Sequence, residues 1–403
     1  MKTNNQCQKL IWHGCCCECK YHYAVYSHPC VDGKPMSNHF GYVCIPPEFY
    51  CKGVISNEHG FCENFKNIKY QRGIMERKLV TIRRIKSIEP IPNADRIEKL
   101  TIDGWQLVSE KGNFQVGDLC VYFEVDSYLP IQERFEFLRK CCYKEIRELG
   151  QEGFRLRTVK LRGQISQGLA LPLSAFPELD NIKEGDDVTE ILGVNKYEPP
   201  LPAQMAGQVK GLFPSFIPKT DIERIQNIYD DLNKNIIYEV SVKLDGTSMT
   251  VYKNGDDIGV CSKNLELKEN QENAYWKGAE ETIKALKFLD KNLAIQGELI
   301  GPGIQKNKEK LLNTEFYIYN IWDIDKQEYF PSEDRLDIIN SFGLNSVPII
   351  DTVRCIANLT LEDFLTMADG ESLNCECREG IVFKNGFNQF KVINNKYLLK
   401  YED

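Results

Sequence analysis

The stretch IIYEVSVKLDGTSMTVYKNG, residues 236–255, limits what this chain can become. Tyr238, Val240 and Val242 alternate with Glu239, Ser241 and Lys243, which is the pattern of a half-buried strand. The strand stops at Leu244-Asp245-Gly246, and SMTVYKNGDDIGVCSKN continues it as a hairpin around Asn254-Gly255. A lysine therefore stands at the mouth of a sheet, with a carboxylate two residues on. The plain reading is a snorkelling surface lysine, and a bare Lys-x-Asp-Gly is too short to decide against it. Three later strands add weight, because each carries a polar residue at one end: NLAIQGELIG with Glu298, EFYIYNIWDI with Tyr319, and REGIVFKNGFNQFKVINNKYLLK with Glu379, Lys384 and Lys391.

Cysteine and histidine divide the chain. Nine of the sixteen cysteines and all five histidines fall in the first 62 residues, and no histidine follows His59. Chemistry performed by the rest of the chain cannot use imidazole as base, nucleophile or ligand. An apolar fraction of 42% and a charged fraction of 27% are ordinary for a soluble protein. No run of 18 apolar residues marks a membrane span, and the N-terminus lacks a signal peptide, so an intracellular protein is expected. A net charge of -8 gives no overall nucleic-acid signal, although a basic groove can sit on an acidic protein.

Four segments are expected. Residues 1–75 form a Cys/His-rich head; residues 76–175 read as a small barrel of short strands broken by Pro-Asn, Asp-Gly and Gly-Asp. A Pro-rich linker region covers 176–210, centred on NKYEPPLPAQMAGQ. Residues 211–403 mix alternating strands with an amphipathic helix over Ala274–Leu289. In a reducing compartment the head's cysteines suit a metal better than disulfides. Cys16 and Cys19 would form one half of a thiolate zinc site and Cys44 and Cys62 the other, each of the latter pair shortly after a glycine; Cys30, Cys51 or His28 are substitutes.

Taken in order, Lys243-Leu244-Asp245-Gly246, Ser262-Lys263-Asn264, Glu298, the aromatic strand with Tyr319, Glu379-Gly380-Ile381-Val382-Phe383-Lys384 and Lys391 resemble motifs I, Ia, III, IIIa, IV and V of the covalent nucleotidyltransferases. That superfamily comprises RNA ligases, DNA ligases and mRNA capping enzymes. DNA ligases and capping enzymes place an OB domain after the catalytic domain, whereas about a dozen residues follow Lys391 here. IPNADRIEKLTIDGWQLV, GNFQVGDLCVYFEVDSYLP and TVKLRGQISQGLALPL instead resemble the N-terminal OB domain of the Deinococcus/Naegleria-type RNA ligases, and FPSFIPKTDIERIQN resembles their lead into motif I. The fold implied is α+β: a zinc-binding-like head, an OB barrel, then a nucleotidyltransferase domain of ATP-grasp-like antiparallel sheets with flanking helices.

The resemblance implies roles for these residues. Lys243 would attack the α-phosphate of ATP and carry AMP as a phosphoramidate, since an amine can bond phosphorus and leave again. Asp245, Glu298 and Glu379 would hold Mg2+ or Mn2+ mainly through water, with Glu298 also on the ribose and Gly246 at the nucleotide. Lys384 and Lys391 would contact the α-phosphate and Tyr319 would stack on adenine. Lys263 stands where many relatives carry arginine, Arg224 is a candidate phosphate contact, and Ile393 stands where some relatives carry a second motif V lysine, with Lys396 a candidate substitute. Arg155, Arg157, Lys160 and Arg162 would track a nucleic-acid backbone. The implied partner is RNA ends, in particular a nicked duplex whose 3'-OH strand is RNA, and the protein is expected to be a monomer. The alternatives are a GTP-dependent capping enzyme and a nucleic-acid-binding protein whose nucleotidyltransferase domain is inactive.

Overall fold

The computed structural model describes residues 77–146, 150–198 and 207–401, together with the backbone of five short strands in the head. The chain divides into two compact units, Met1–Met75 and Glu76–Asp403. In the first, Cys7–His13 pairs antiparallel with His22–His28, which also pairs with Val43–Cys44. Cys16, Cys19 and Cys62 lie outside the described residues, as does the side chain of Cys44. Among the described residues no set of three histidines, cysteines or carboxylates is grouped to hold a metal ion, and no helix is long and apolar enough to cross a membrane.

The second unit begins with a barrel of short antiparallel strands. Val80–Arg84, Leu119–Phe123 and Leu169–Pro172 form one sheet, and Ser87–Pro90, Ile97–Ile102 and Trp105–Glu110 form another. Alternation along Leu119–Phe123 sends Val121 and Phe123 into one core with Val80, Ile82 and Phe154, and Tyr122 into a second with Trp105 and Leu107. The first core also takes in Phe176, Val188, Leu192 and Val194, and Asn195–Lys196 pairs with Ser127 and Tyr128. The barrel module thus draws on chain well past residue 175, where the sequence pattern places a linker.

Two sheets make up the rest. An eight-stranded sheet runs in the order Val209–Leu212, Leu265–Leu267, Asp257–Cys261, Thr247–Asn254, Leu293–Ile300, Glu315–Asp323, Glu328–Tyr329, with Asn345–Ser346 also pairing the Glu315–Asp323 strand. A five-stranded sheet runs Glu223–Arg224, Asn388–Ile393, Gly380–Asn385, Ile237–Lys243, Ile349–Cys355. The expected helix spans Ala274–Leu289, capped by the Asn273 side chain accepting from Tyr275 N, and lays Trp276, Ala279 and Leu286 on the first sheet. The hairpin after Lys243 is present with its turn at Gly255-Asp256, where Gly255 takes φ +61° as a two-residue turn requires.

One expectation needs correction. The Ile237–Lys243 strand is not half-buried: Tyr238 and Val240 enter one core, but Glu239 and Ser241 on the opposite face are 3% and 1% exposed. Its polar face looks into the protein. Glu239 tolerates this because Arg335 Nη2 and Lys384 Nζ lie 2.7 and 3.0 Å from its oxygens.

The final helix, Asn395–Tyr401, fastens the catalytic sheets to the barrel. Leu398 packs with Ile393 and with Ile165 of the barrel strand Gln164–Gln167, Lys160 Nζ donates to Leu399 O at 3.0 Å, and Gln167 Nε2 donates to Asn395 Oδ1 at 3.2 Å. Leu398→Ala is therefore expected to cost about 2–4 kcal/mol in denaturant unfolding, because it opens a cavity at this junction. Leu212→Ala, at a side chain 82% exposed, should cost under about 0.5 kcal/mol.

Candidate active site

Lys243 is the last residue of its strand, and its register partner is Gly380. That pairing sets Glu379 beside the lysine, with Nζ 2.6 Å from Glu379 Oε2. Gly380 has no room for a side chain, since a Cβ would strike the Val392 carbonyl and the Ile393 backbone. Gly246 is similarly forced, by the Leu299 carbonyl and the Ile300 side chain. Its N–H donates to Glu298 Oε1 at 3.1 Å, so the turn after the lysine is tied to the neighbouring sheet.

Charge explains the protonation of the pocket. Burial works against the Lys243 ammonium, but Glu379, Glu298 and Asp245 more than offset it, and its pKa is raised. Burial, reinforced by Glu379 and Asp245 and opposed by Lys243, pushes the Glu298 carboxyl up to about 7. At neutral pH the lysine is a cation among carboxylates. An amine in that state has no free electron pair to offer.

A second cluster centres on Asp221, which nothing in the local sequence marks. Its carboxylate lies 2.6 Å from Lys196 Nζ, 3.6 Å from Lys263 Nζ and 3.9 Å from Lys391 Nζ. Burial alone would raise its pKa, but these lysines hold it well below the usual carboxylate range. Lys391 is brought down to about 8, chiefly by burial, with Lys243 and Arg224 adding to the effect and Asp221 opposing it. Arg224 pairs in parallel register with Lys391, sets its guanidinium over the Trp105 ring at 5.1 Å, and has a buried Nη1 without a hydrogen-bond partner. An arginine held this way suits an incoming anion.

Tyr319 occupies a bulge: Gln296 pairs with Asn320 and Gly297 with Ile318, leaving Tyr319 between them. Its hydroxyl is within 3.3 Å of Ser248 Oγ, and Glu298 is near enough to act on it electrostatically. Tyr317, one alternation earlier and opposite Glu298, shares its apolar cluster with Val242, Leu244 and Ile300. Lys384 is placed differently from the expectation. It is 6% exposed, paired with Glu239, and donates to the Tyr319 carbonyl, so its ammonium serves the contact between the two sheets. Burial and Arg335 bring its pKa down to about 7 against the pull of Glu239. Lys396 pairs with Asp369 at the surface, away from these groups. On the barrel, Arg155 bonds Asp126 at 3.0 Å and covers the Tyr197 ring, Lys160 is taken by Leu399 O, and Arg157 and Arg162 are exposed.

With this geometry in view, comparison with known proteins is direct. An OB-fold domain model matches residues 79–173 and an RNA ligase model matches residues 236–401. Naegleria gruberi RNA ligase solved with PPi is 47% identical, covering 81% of this chain and 99% of that one, at a TM-score of 0.69. The chain belongs to the RNA ligase family. Two variants of the same Naegleria enzyme agree: one with AMP and Mn at 47% identity and one with ATP and Mn at 46%, each over 81% of this chain and 99% of that one, with TM-scores of 0.70. A comparison with curated protein sequences returned no significant match. In this ligase the α+β architecture is an OB-fold domain followed by a catalytic domain built mostly of sheet.

The state of Glu298 has a measurable consequence. Its folded pKa of about 7 exceeds the unfolded value near 4.3, so the folded state loses stability relative to the unfolded as pH rises between the two. Glu298→Gln removes that ionisation. Its melting temperature should exceed that of the unsubstituted protein at pH 8, and the difference should vanish below about pH 4.5. A difference independent of pH would show that burial does not strain this carboxyl.

Proposed function

We propose that this ATP-dependent RNA ligase joins RNA ends through a covalent lysyl-AMP on Lys243. The observation that carries the reading is the Lys243–Glu379 contact at the mouth of two sheets, with Glu298 and Asp245 close enough to govern the charge of the amine. Glu379 lies where it can take the ammonium proton. Nζ then attacks the α-phosphorus of ATP, an N–P bond forms, and the bond to the β-phosphate oxygen breaks to release pyrophosphate. AMP passes to a 5'-phosphate, and a 3'-OH displaces it to close the phosphodiester.

The hard oxygen donors Asp245, Glu298 and Glu379 fit Mg2+ or Mn2+. A hard, reluctantly dehydrated ion such as Mg2+ keeps much of its water shell, so these carboxylates would hold it largely through water. Such an ion supplies positive charge that lowers the lysine pKa and stabilises the polyphosphate. Lys391 and Lys263 face the polyphosphate with Arg224 behind them, Gly246 lets the nucleotide approach, and Tyr319 with its neighbour Tyr317 covers the base. Lys384 acts on the α-phosphate only indirectly, by fixing the relation of the two sheets.

The substrate in this reading is a nick in a duplex whose 3'-OH strand is RNA, held on the OB domain through Arg157 and Arg162, and the enzyme works as an intracellular monomer. The domains follow as a 1–75 head, an OB module from 76, and a catalytic domain from 211. The head is a zinc module built on Cys16, Cys19, Cys44 and Cys62, supported by the cysteine density there and by how little aliphatic core about sixty residues would otherwise have.

Two outcomes test these assignments. Incubated with labelled ATP and magnesium, the protein should acquire a covalent label that Lys243→Ala abolishes while circular dichroism still shows a folded chain, even though the loss of Glu379's partner lowers the melting temperature; label from GTP instead of ATP, or label surviving the substitution, would overturn the reading. Purified protein should carry close to one zinc per chain, released by Cys16→Ser or Cys44→Ser, since closed thiolate sites contribute on the order of 10 kcal/mol to folding. Elemental analysis finding no zinc would remove the head from the metal proteins.

A further inference from the structure

Asp245, two residues beyond the nucleophile, is already engaged by the protein. Its Oδ2 accepts from Lys308 Nζ at 2.5 Å and from Tyr397 OH at 2.6 Å. Lys308 follows Gln305, Lys306 and Asn307, three successive residues with φ of 43°, 60° and 44°. Runs of non-glycine residues in that region are uncommon and strained, and they persist where surrounding contacts hold them. Tyr397 comes from the final helix. The Lys308 ammonium also lies 4.6 Å from the Tyr397 ring centroid and 5.2 Å from that of Tyr401. Two aromatic faces and one carboxylate thus enclose a cation whose side chain is only 17% exposed.

The pocket sets three carboxylates, Asp245, Glu298 and Glu379, against two lysine ammonium groups. Lys243 is the nucleophile and must give up its proton. Lys308 has no part in the transfer, yet it holds the carboxylate assigned above to the divalent ion. We propose that Lys308 is a resident counter-cation of this site: it neutralises Asp245 before the ion enters, competes with the ion for that carboxylate, and together with Tyr397 fixes the direction in which the carboxylate points. Lys308 and Tyr397 are positioning residues. The inference rests on the reading of Asp245 as a metal-holding group.

The competing explanation is structural, in which Lys308 only pins the final helix to the catalytic sheet. Charge separates the two. Lys308→Met keeps a long side chain against the tyrosine rings and removes the cation, and Lys308→Gln serves as a second neutral variant should methionine disturb folding. Mn2+ binding to the full-length protein, followed by electron paramagnetic resonance without nucleotide, should tighten about tenfold in both, since a positive charge near the metal-holding carboxylate is gone. The magnesium concentration giving half-maximal lysyl-AMP formation should fall in parallel, and Mn2+ should raise the melting temperature of these variants more than that of the unsubstituted protein. Lys308→Arg should restore the original metal affinity. Tyr397→Phe, which keeps the ring and loses the hydroxyl, should slow lysyl-AMP formation at saturating ATP and metal without tightening Mn2+. Unchanged Mn2+ affinity in the neutral variants, or an arginine variant that behaves like them, would overturn the proposal. Asp245→Asn tests the reading beneath it: if that variant binds Mn2+ as well as the unsubstituted protein, Asp245 is not a metal-holding group, whatever Lys308 does.

Discussion

The contact between Lys243 and Glu379 ties together the fold and the chemistry. It exists because Lys243 and Gly380 are register partners in the five-stranded sheet, and Gly380 lets the next strand approach closely, since a side chain there would strike the Val392 carbonyl. Removed from water, an ammonium and a carboxylate attract strongly but lose hydration, so neither would be stable there alone. The pair is stable, and the amine is inactive while it lasts. If Lys243 is the nucleophile, as proposed, it stays protonated until substrate and cation alter the local charge.

The same logic extends between the two sheets. Glu239, Arg335 and Lys384 form a buried triad in which each residue is 6% exposed or less. An apolar substitute would avoid the desolvation cost, but charges accept only certain partners and so specify how the sheets meet. Lys384 also donates to the Tyr319 carbonyl at the strand bulge. The triad therefore bears on where Tyr319 stands. Asp221 performs a similar office beside Lys391, collecting three lysines that would otherwise repel one another.

Much of this was legible in sequence where the signal is local. Alternation located the strand ending in Lys243, its hairpin and the helix Ala274–Leu289, and the motif order brought Glu298, Glu379 and Lys391 to attention. What was not legible depends on partners far along the chain. The polar face of Ile237–Lys243 reads as solvent-facing because nothing near it announces Arg335, and Lys384 reads as a phosphate ligand because its claim by Glu239 is tertiary. Asp221, Lys308 and Tyr397 are ordinary residues until the fold assembles them. The barrel reaches Val194 because apolar residues spaced through an irregular segment find a core that no period of 2 or 3.6 reveals.

The last helix has a bearing on when the enzyme first becomes competent during its synthesis. One side of that helix presents Tyr397 to Asp245 and the other lodges Leu398 against Ile165 of the barrel. Lys243 emerges from a ribosome long before residues 379, 391 and 397, which complete its surroundings. A nascent or prematurely terminated chain carries Lys243 without Glu379 to hold it and without the helix that joins catalytic sheet to barrel. On the proposed reading of Lys243, capacity to react with a nucleotide is deferred until the chain has been made through Tyr397.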